Sequence, residues 1–196
     1  CNGVVAGGER IAAKFVIVAA GAFSGGIDWL VRYAPTHPVR GQMLALGPKD
    51  IKLQRVLRSE NGYLVPRRDG RIIAGSTLEN AGFNKHVTPS GICRILDAAL
   101  ELVPALANAE IIETWAGLRP GTPDHLPILG PTDVEGLLIA TGHYRNGILL
   151  APVTAKLLRD WIVSGRVSMD TSMFSPLRFS ASTSHTSGAM GASARY

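Results

Sequence analysis

Residues 137–163 hold the feature that most constrains the fold. LLIATG (137–142) reads as a strand that ends on a glycine. HYRNG (143–147) follows, with polar and aromatic side chains between two glycines. Apolar residues then recur at Ile148, Leu149, Leu150, Val153, Leu157, Leu158, Trp161 and Ile162, which predicts a helix over 148–163. Its start is apolar nearly all round and is therefore expected to be buried; its later part is amphipathic. Pro152 sets a limit: the helix either begins just before it or kinks there. Residues 143–147 are then a strand-to-helix loop that receives the free N–H groups of the first turn. Such an end carries about half a positive elementary charge and suits an anion. The alternative is an ordinary turn with glycine present for geometry.

The remaining chain is strand-rich with one further helix. Residues 4–21 read as a short β-ribbon leading into a buried strand, Phe15 to Ala20, bounded by Gly21. VRGQMLAL (39–46) and GYLVPRRDGRIIAGS (62–76) read as strands, with Arg68-Asp69-Gly70 as a hairpin turn. Thr88 is a helix cap, Pro89 suits the first helical position, and Pro104 stops the run. Ile92, Ile95, Leu96, Ala99, Leu102 and Val103 give that helix a face that covers a sheet, and Cys93 within it is assigned to the core. EIIETWAGL (110–118) is another strand, directly followed by Arg119-Pro120. A guanidinium held there presents a planar fork that matches a carboxylate. A salt bridge to Glu113 or Asp124 is the structural alternative. Residues 121–130 form a proline-stiffened segment that either lines a pocket or crosses the surface. From Phe174 the composition turns to Ser, Gly, Thr and Ala without period. A disordered tail is expected, and removing 175–196 should change stability by less than ~0.5 kcal/mol.

Composition narrows the function classes. Hydrophobic residues are 46 % of the 196 and charged residues 18 %, so the chain can bury a core. The net charge is +5, but Arg67-Arg68 is the longest Lys/Arg run. That points away from nucleic acid and toward a basic pocket for a small anionic ligand. Arg67, Arg68 and Arg71 flank the hairpin turn as a solvated face. Cys1 and Cys93 are the only cysteines, so neither a disulfide framework nor a metal site is expected, and a reducing cytoplasm fits. No apolar run approaches the ~20 residues of a membrane span, and no signal-peptide pattern is visible. The chain opens on Cys1 and its first residues read like the middle of a fold; an amino-terminal portion is expected to precede it.

Four segments, AAGAFS (19–24), YLVPRRDGRIIAGST (63–77), WAGLRPGTPDHLPILG (115–130) and TGHYRNGILLAP (141–152), occur in an order that resembles the FAD-dependent amine and amino-acid oxidases of the D-amino-acid oxidase superfamily. Within it the chain is most similar to glycine oxidases of the thiamine-biosynthesis type, over about residues 4–165. The resemblance implies an α+β fold: an antiparallel-sheet substrate domain with covering helices, plus the carboxy-terminal part of a Rossmann-like FAD-binding domain. Residues 1–34 would end the FAD-binding domain. Residues 35–118 would form the substrate domain, a mixed sheet with helix 89–103. Residues 119–165 would return to the FAD-binding domain with the final helix, and 166–196 would be the tail.

The same resemblance implies site residues. Arg119 would grip the substrate carboxylate, Arg145 would lie at the flavin–substrate boundary, and Tyr63 would face the substrate. Ala20, Gly21, His143, Tyr144, Arg145, Asn146, Gly147, Ile148 and Leu149 would contact FAD, held non-covalently because no cysteine lies near the last helix. Asn61 stands where some members carry a histidine, which bears on substrate preference. His143 reads as a loop histidine beside the flavin rather than a proton shuttle, Tyr144 could simply pack, and Asp124 reads as structural. Neither a catalytic base nor a metal ligand is assigned. The GxGxxG strand–helix unit that holds the FAD pyrophosphate is absent from this chain. The implied activity is oxidation of glycine or a related small amine by O2 to an imine and then a 2-oxo acid, with H2O2 formed, in the cytoplasm. The implied partners are the small substrate, O2 and the missing amino-terminal half, with a homo-oligomer left open. Sarcosine oxidase, D-amino-acid dehydrogenase and a catalytically silent interaction domain are the competing readings.

Overall fold

The computed structural model describes residues 1–47 and 50–185. Two compact units emerge: Cys1–His37 with Pro120–Tyr196, and Pro38–Arg119. Arg119, expected to open the return segment, is thus the last residue of the second unit.

In the first unit, β1 (Gly3–Ala6) and β2 (Glu9–Ala12) form an antiparallel ribbon. A three-stranded sheet has the order β3 (Val16–Val18), β10 (Leu137–Thr141), β9 (Ile128–Pro131). β3 runs parallel to β10, with Leu137 opposite Val16, and β9 runs antiparallel to it. The expected buried strand at 15–20 is corrected: β3 lies at the sheet edge, with Phe15 44 % and Ile17 41 % exposed. β9 went unread in the sequence because its pairing partner lies beyond a turn-rich segment.

In the second unit a five-stranded sheet has the order β5 (Leu57–Arg58), β6 (Tyr63–Pro66), β7 (Ile72–Gly75), β4 (His37–Gly47), β8 (Glu110–Gly121). The β5–β6, β6–β7 and β7–β4 pairings are antiparallel. Helix α1 (Pro89–Leu102) covers one face, its Ile95 and Ala99 packing with Leu44, Leu46, Leu64, Ile72 and Ala74. Thr88 caps α1 as predicted, its hydroxyl accepting the Gly91 N–H at 3.2 Å. Buried Gln42 ties this cap to the sheet. Its Nε2 donates to Thr88 Oγ1 at 3.0 Å and to Glu79 Oε1 at 2.8 Å, and its Oε1 accepts the Thr88 N–H at 2.8 Å. Cys93 is corrected from core to exposed. The buried stripe of α1 runs through Gly91, Ile95, Ala98 and Ala99, and residue 93 lies roughly 200° around the helix from Ile95.

Helix α2 (Gly147–Ser164) continues through Pro152, at the cost of the hydrogen bond that Ile148 C=O would otherwise accept. The expectation of a buried start is corrected. Its inward stripe is Thr154, Leu157 and Asp160, while Ile148 is 96 % and Leu149 78 % exposed. The tail expectation is also corrected over its described part. Ser172–Phe174 and Pro176–His185 form 3-10 turns. Phe174 packs against the Leu129–Ala140–Leu157 cluster, and Phe179 against Leu30, Tyr33, Ala34, Ile128 and Ile139. Arg178 clamps Asp124 with two bonds, at 2.7 and 3.1 Å. The rest of that expectation, 186–196, lies outside the described residues. Among the described residues no helix is long and apolar enough to cross a membrane, and no His/Cys/Asp/Glu cluster suits a metal ion.

Candidate functional site

Each unit carries candidate residues of its own. In the first, β3 and β10 run parallel, so their carboxyl ends emerge together. The end of β3 leads to Ala20 and Gly21, and the end of β10 leads to Gly142 and the 143–147 loop. Buried Thr141 joins the two ends: its hydroxyl donates to the Gly21 carbonyl at 3.0 Å and accepts from Ser24 Oγ at 3.1 Å. Gly142 is required by geometry. Its φ is +75°, and a Cβ there would lie 2.6 Å from Thr122 Cγ2.

The loop then closes a turn, with the Asn146 N–H donating to the His143 carbonyl at 2.9 Å. Tyr144 takes a left-handed φ of 51°. His143 is half-buried, and its Nε2 lies 2.9 Å from the hydroxyl of buried Thr154 on α2. Burial pushes the His143 pKa below its ordinary value, so the ring is neutral at neutral pH. Arg145 and Asn146 are exposed. Asn146 precedes α2 without a side-chain capping bond, and no acidic residue sits in the first turn. Gly147 is not demanded by the fold: a Cβ there would meet only His143 Cβ, at an ordinary 3.7 Å. The structure thus brings Ala20 and Gly21 to the same sheet end as the His143–Leu149 segment. A cofactor with a planar apolar body and a polar edge fits this end, because exposed Ile148 and Leu149 stand beside the positive helix tip.

In the second unit, β4 places Leu44 and Leu46 under α1 and turns Gly41, Met43 and Ala45 to the opposite face. Register puts Tyr63, Gly75 and Met43 side by side on that face. The Tyr63 hydroxyl reaches Met43 Sδ at 4.0 Å, and a Cβ on Gly75 would lie 3.0 Å from it. Beyond Gly75 the ladder slips: Met43 faces Gly75, but Arg40 faces Glu79, so β4 spends three residue steps where the other strand spends four. This bulge presents Ser76 and Thr77 to Arg119. Arg119 Nη2 donates to Ser76 Oγ at 2.8 Å and Nη1 to the Thr77 carbonyl at 3.2 Å. The carboxylates considered as its structural partners are engaged elsewhere: Asp124 with Arg178, and Glu113 with Arg71 at 3.9 Å. Arg119 and Tyr63 therefore flank the Gly75-Ser76 segment. Asn61 is exposed and donates to Glu101 of α1 at 3.2 Å, so its amide is committed to the helix. Ser76, Thr77 and Gly41 had no assigned role in the sequence, because the bulge that matters is invisible to local pattern.

A parallel strand pair whose carboxyl ends feed a glycine turn and a helix start is the arrangement of nucleotide-cofactor folds. The chain belongs to the FAD dependent oxidoreductase family, which residues 1–161 match. Among its relatives, the bifunctional protein ThiO/ThiG of Synechocystis sp. is 49 % identical over 76 % of this chain and 24 % of that protein. The glycine oxidase of Pseudomonas putida is 38 % identical over 89 % of this chain and 48 % of its own length. In three dimensions the glycine oxidase of Geobacillus kaustophilus superposes with a TM-score of 0.83 at 34 % identity, covering 88 % of this chain and 47 % of that one. The chain thus spans about half the length of the glycine oxidases it matches. The α+β fold and the relation to glycine oxidases agree with the sequence expectation.

Proposed function

We propose that the protein acts in FAD-dependent oxidation of glycine or a related small amine or amino acid. The carrying observation is the placement of Arg119. A guanidinium held by Ser76 and Thr77 beside Tyr63, on the sheet face opposite α1, offers a fixed cation to a substrate carboxylate. Arg119 grips the substrate carboxylate in a charge-assisted pair. Tyr63 borders the same ligand and Arg145 the boundary with the cofactor. Ala20, Gly21 and His143–Leu149 hold the flavin non-covalently, and the uncapped tip of α2 favours negative charge on its ring. FAD held by these residues would supply a two-electron acceptor for hydride from the α-carbon, with O2 as the final oxidant and H2O2 as its product. The resulting imine takes up water to give a 2-oxo acid and ammonia. No side chain is needed as a strong base, because the neutral amine loses hydride rather than a carbon-bound proton. The chain's task is orientation. Similarity to ThiO/ThiG proteins supports a place in thiazole formation for thiamine, and a cytoplasmic location accords with it.

The test is a peroxide-coupled assay of the flavin-loaded protein with glycine, sarcosine, D-alanine and iminodiacetate. Peroxide from glycine supports the reading. Iminodiacetate belongs in the set because the iminodiacetate oxidase of Chelativorans sp. superposes with a TM-score of 0.80 at 31 % identity. Turnover with an artificial dye but not with O2 would move the assignment to a dehydrogenase. A flavin-loaded protein inert toward all four substrates would overturn it in favour of a silent domain.

A further inference from the structure

We propose that Gly41 is a positioning residue for the carboxylate clamp: its missing side chain forms the seat on which the Arg119 guanidinium lies. This rests on the carboxylate role of Arg119 proposed above and extends it to a residue outside the four family-like segments.

A Cβ built on Gly41 would lie 2.1 Å from Nη1, 2.3 Å from Nη2 and 2.4 Å from Cζ of Arg119. The two Nη atoms are nearer to that point than Cζ, so a side chain at residue 41 would meet the Nη1–Nη2 end of the guanidinium. That end occupies the space beside β4 that a side chain at residue 41 would take. Its two described hydrogen bonds, to Ser76 Oγ and to the Thr77 carbonyl, fix the plane's rotation from the edge. Seat and edge together hold a long side chain, costly in rotamer entropy, in one orientation. Gly41 itself is not in a left-handed conformation, so backbone strain does not demand glycine there. What a methyl group would strike is the far end of a flexible side chain, not backbone. The substitution should therefore leave the fold intact and push the guanidinium away by about 1 Å, the shift that relieves the contact. A misplacement of that order costs up to about 100-fold in a positioned interaction.

The experiment compares Gly41→Ala, Ser76→Ala and Arg119→Ala in the flavin-loaded protein. Glycine kinetics are measured together with the inhibition constant of acetate, which offers the carboxylate alone. Gly41→Ala should raise the KM for glycine and the acetate constant together, by about 10- to 100-fold, and change kcat less than either. Flavin content and melting temperature should stay at wild-type values. Ser76→Ala, which removes one acceptor and no packing, should move both constants the same way by about three- to tenfold. Gly41→Ala combined with Arg119→Ala should be no worse than Arg119→Ala alone. If Arg119→Ala raises both constants while Gly41→Ala and Ser76→Ala leave them unchanged, the seat is refuted and the clamp stands. If Arg119→Ala itself changes neither constant, the clamp reading fails and the seat with it. A Gly41→Ala protein that loses kcat, flavin and stability together would show a structural role and likewise refute the proposal.

Discussion

Tyr63 separates function from stability at a single atom. Its ring is half-buried between Gly75 and Met43, and the described contact of its hydroxyl is the weak one to Met43 Sδ at 4.0 Å. Tyr63→Phe should therefore leave the unfolding free energy within ~0.5 kcal/mol of wild type. If the hydroxyl borders the substrate, the same change raises the KM for glycine several-fold; an unchanged KM would remove Tyr63 from the site. Glu79 makes the opposite kind of prediction. Burial works to raise its pKa, but bonds from Thr77, Arg40 and Gln42 outweigh that and hold it below the ordinary carboxylate value. A carboxylate with a depressed folded pKa contributes stability above its unfolded pKa and loses it as pH falls through the folded one. Urea unfolding of wild type should weaken steeply below about pH 4.5, and Glu79→Gln should flatten that decline. Parallel declines would contradict the network. At this scale the sequence singled out Arg119 by its guanidinium and Tyr63 by the family resemblance. It did not reveal Ser76 or Thr77, which become ligands of Arg119 only through a bulge between distant strands.

Elements were legible where their signals are local. Thr88-Pro89 at one end and Pro104 at the other bound α1 because caps and stops act within a turn. Thr88→Ala should cost about 1–2 kcal/mol in chemical denaturation, since it strips one hydroxyl from both Gly91 and buried Gln42. A smaller loss than a solvent-exposed cap would give contradicts the link to Gln42. The phase of a helix is less legible than its ends. Cys93 and the first turn of α2 read as core by hydrophobicity, yet both face outward. In α2, Ile148 and Leu149 beside Gly147 are exposed, where the proposed function puts the flavin. Gly147→Val should lower flavin retention while leaving the apoprotein's melting temperature nearly unchanged, because a Cβ there meets only His143 Cβ at 3.7 Å. A variant that retains full flavin would count against the helix-tip contact.

On the scale of the whole molecule, the two units divide the proposed work: one presents the cofactor-type sheet end, the other the substrate-type sheet face. Composition misled about the carboxy-terminal segment. Small polar residues surround Phe174, Arg178 and Phe179, and those three carry the docking. Deleting residues 174–196 should therefore destabilise the first unit by about 2 kcal/mol or more, from two half-buried phenylalanines alone; a loss under ~0.5 kcal/mol would restore the view of an undocked tail. The central claim is that Arg119 receives a carboxylate. It is tested most directly by a crystal structure of the flavin-loaded protein soaked with acetate. The account predicts the acetate oxygens within about 2.7–2.9 Å of the Arg119 guanidinium, with its Nη end still beside Gly41. Acetate bound elsewhere, with Arg119 occupied only by protein groups, would contradict it.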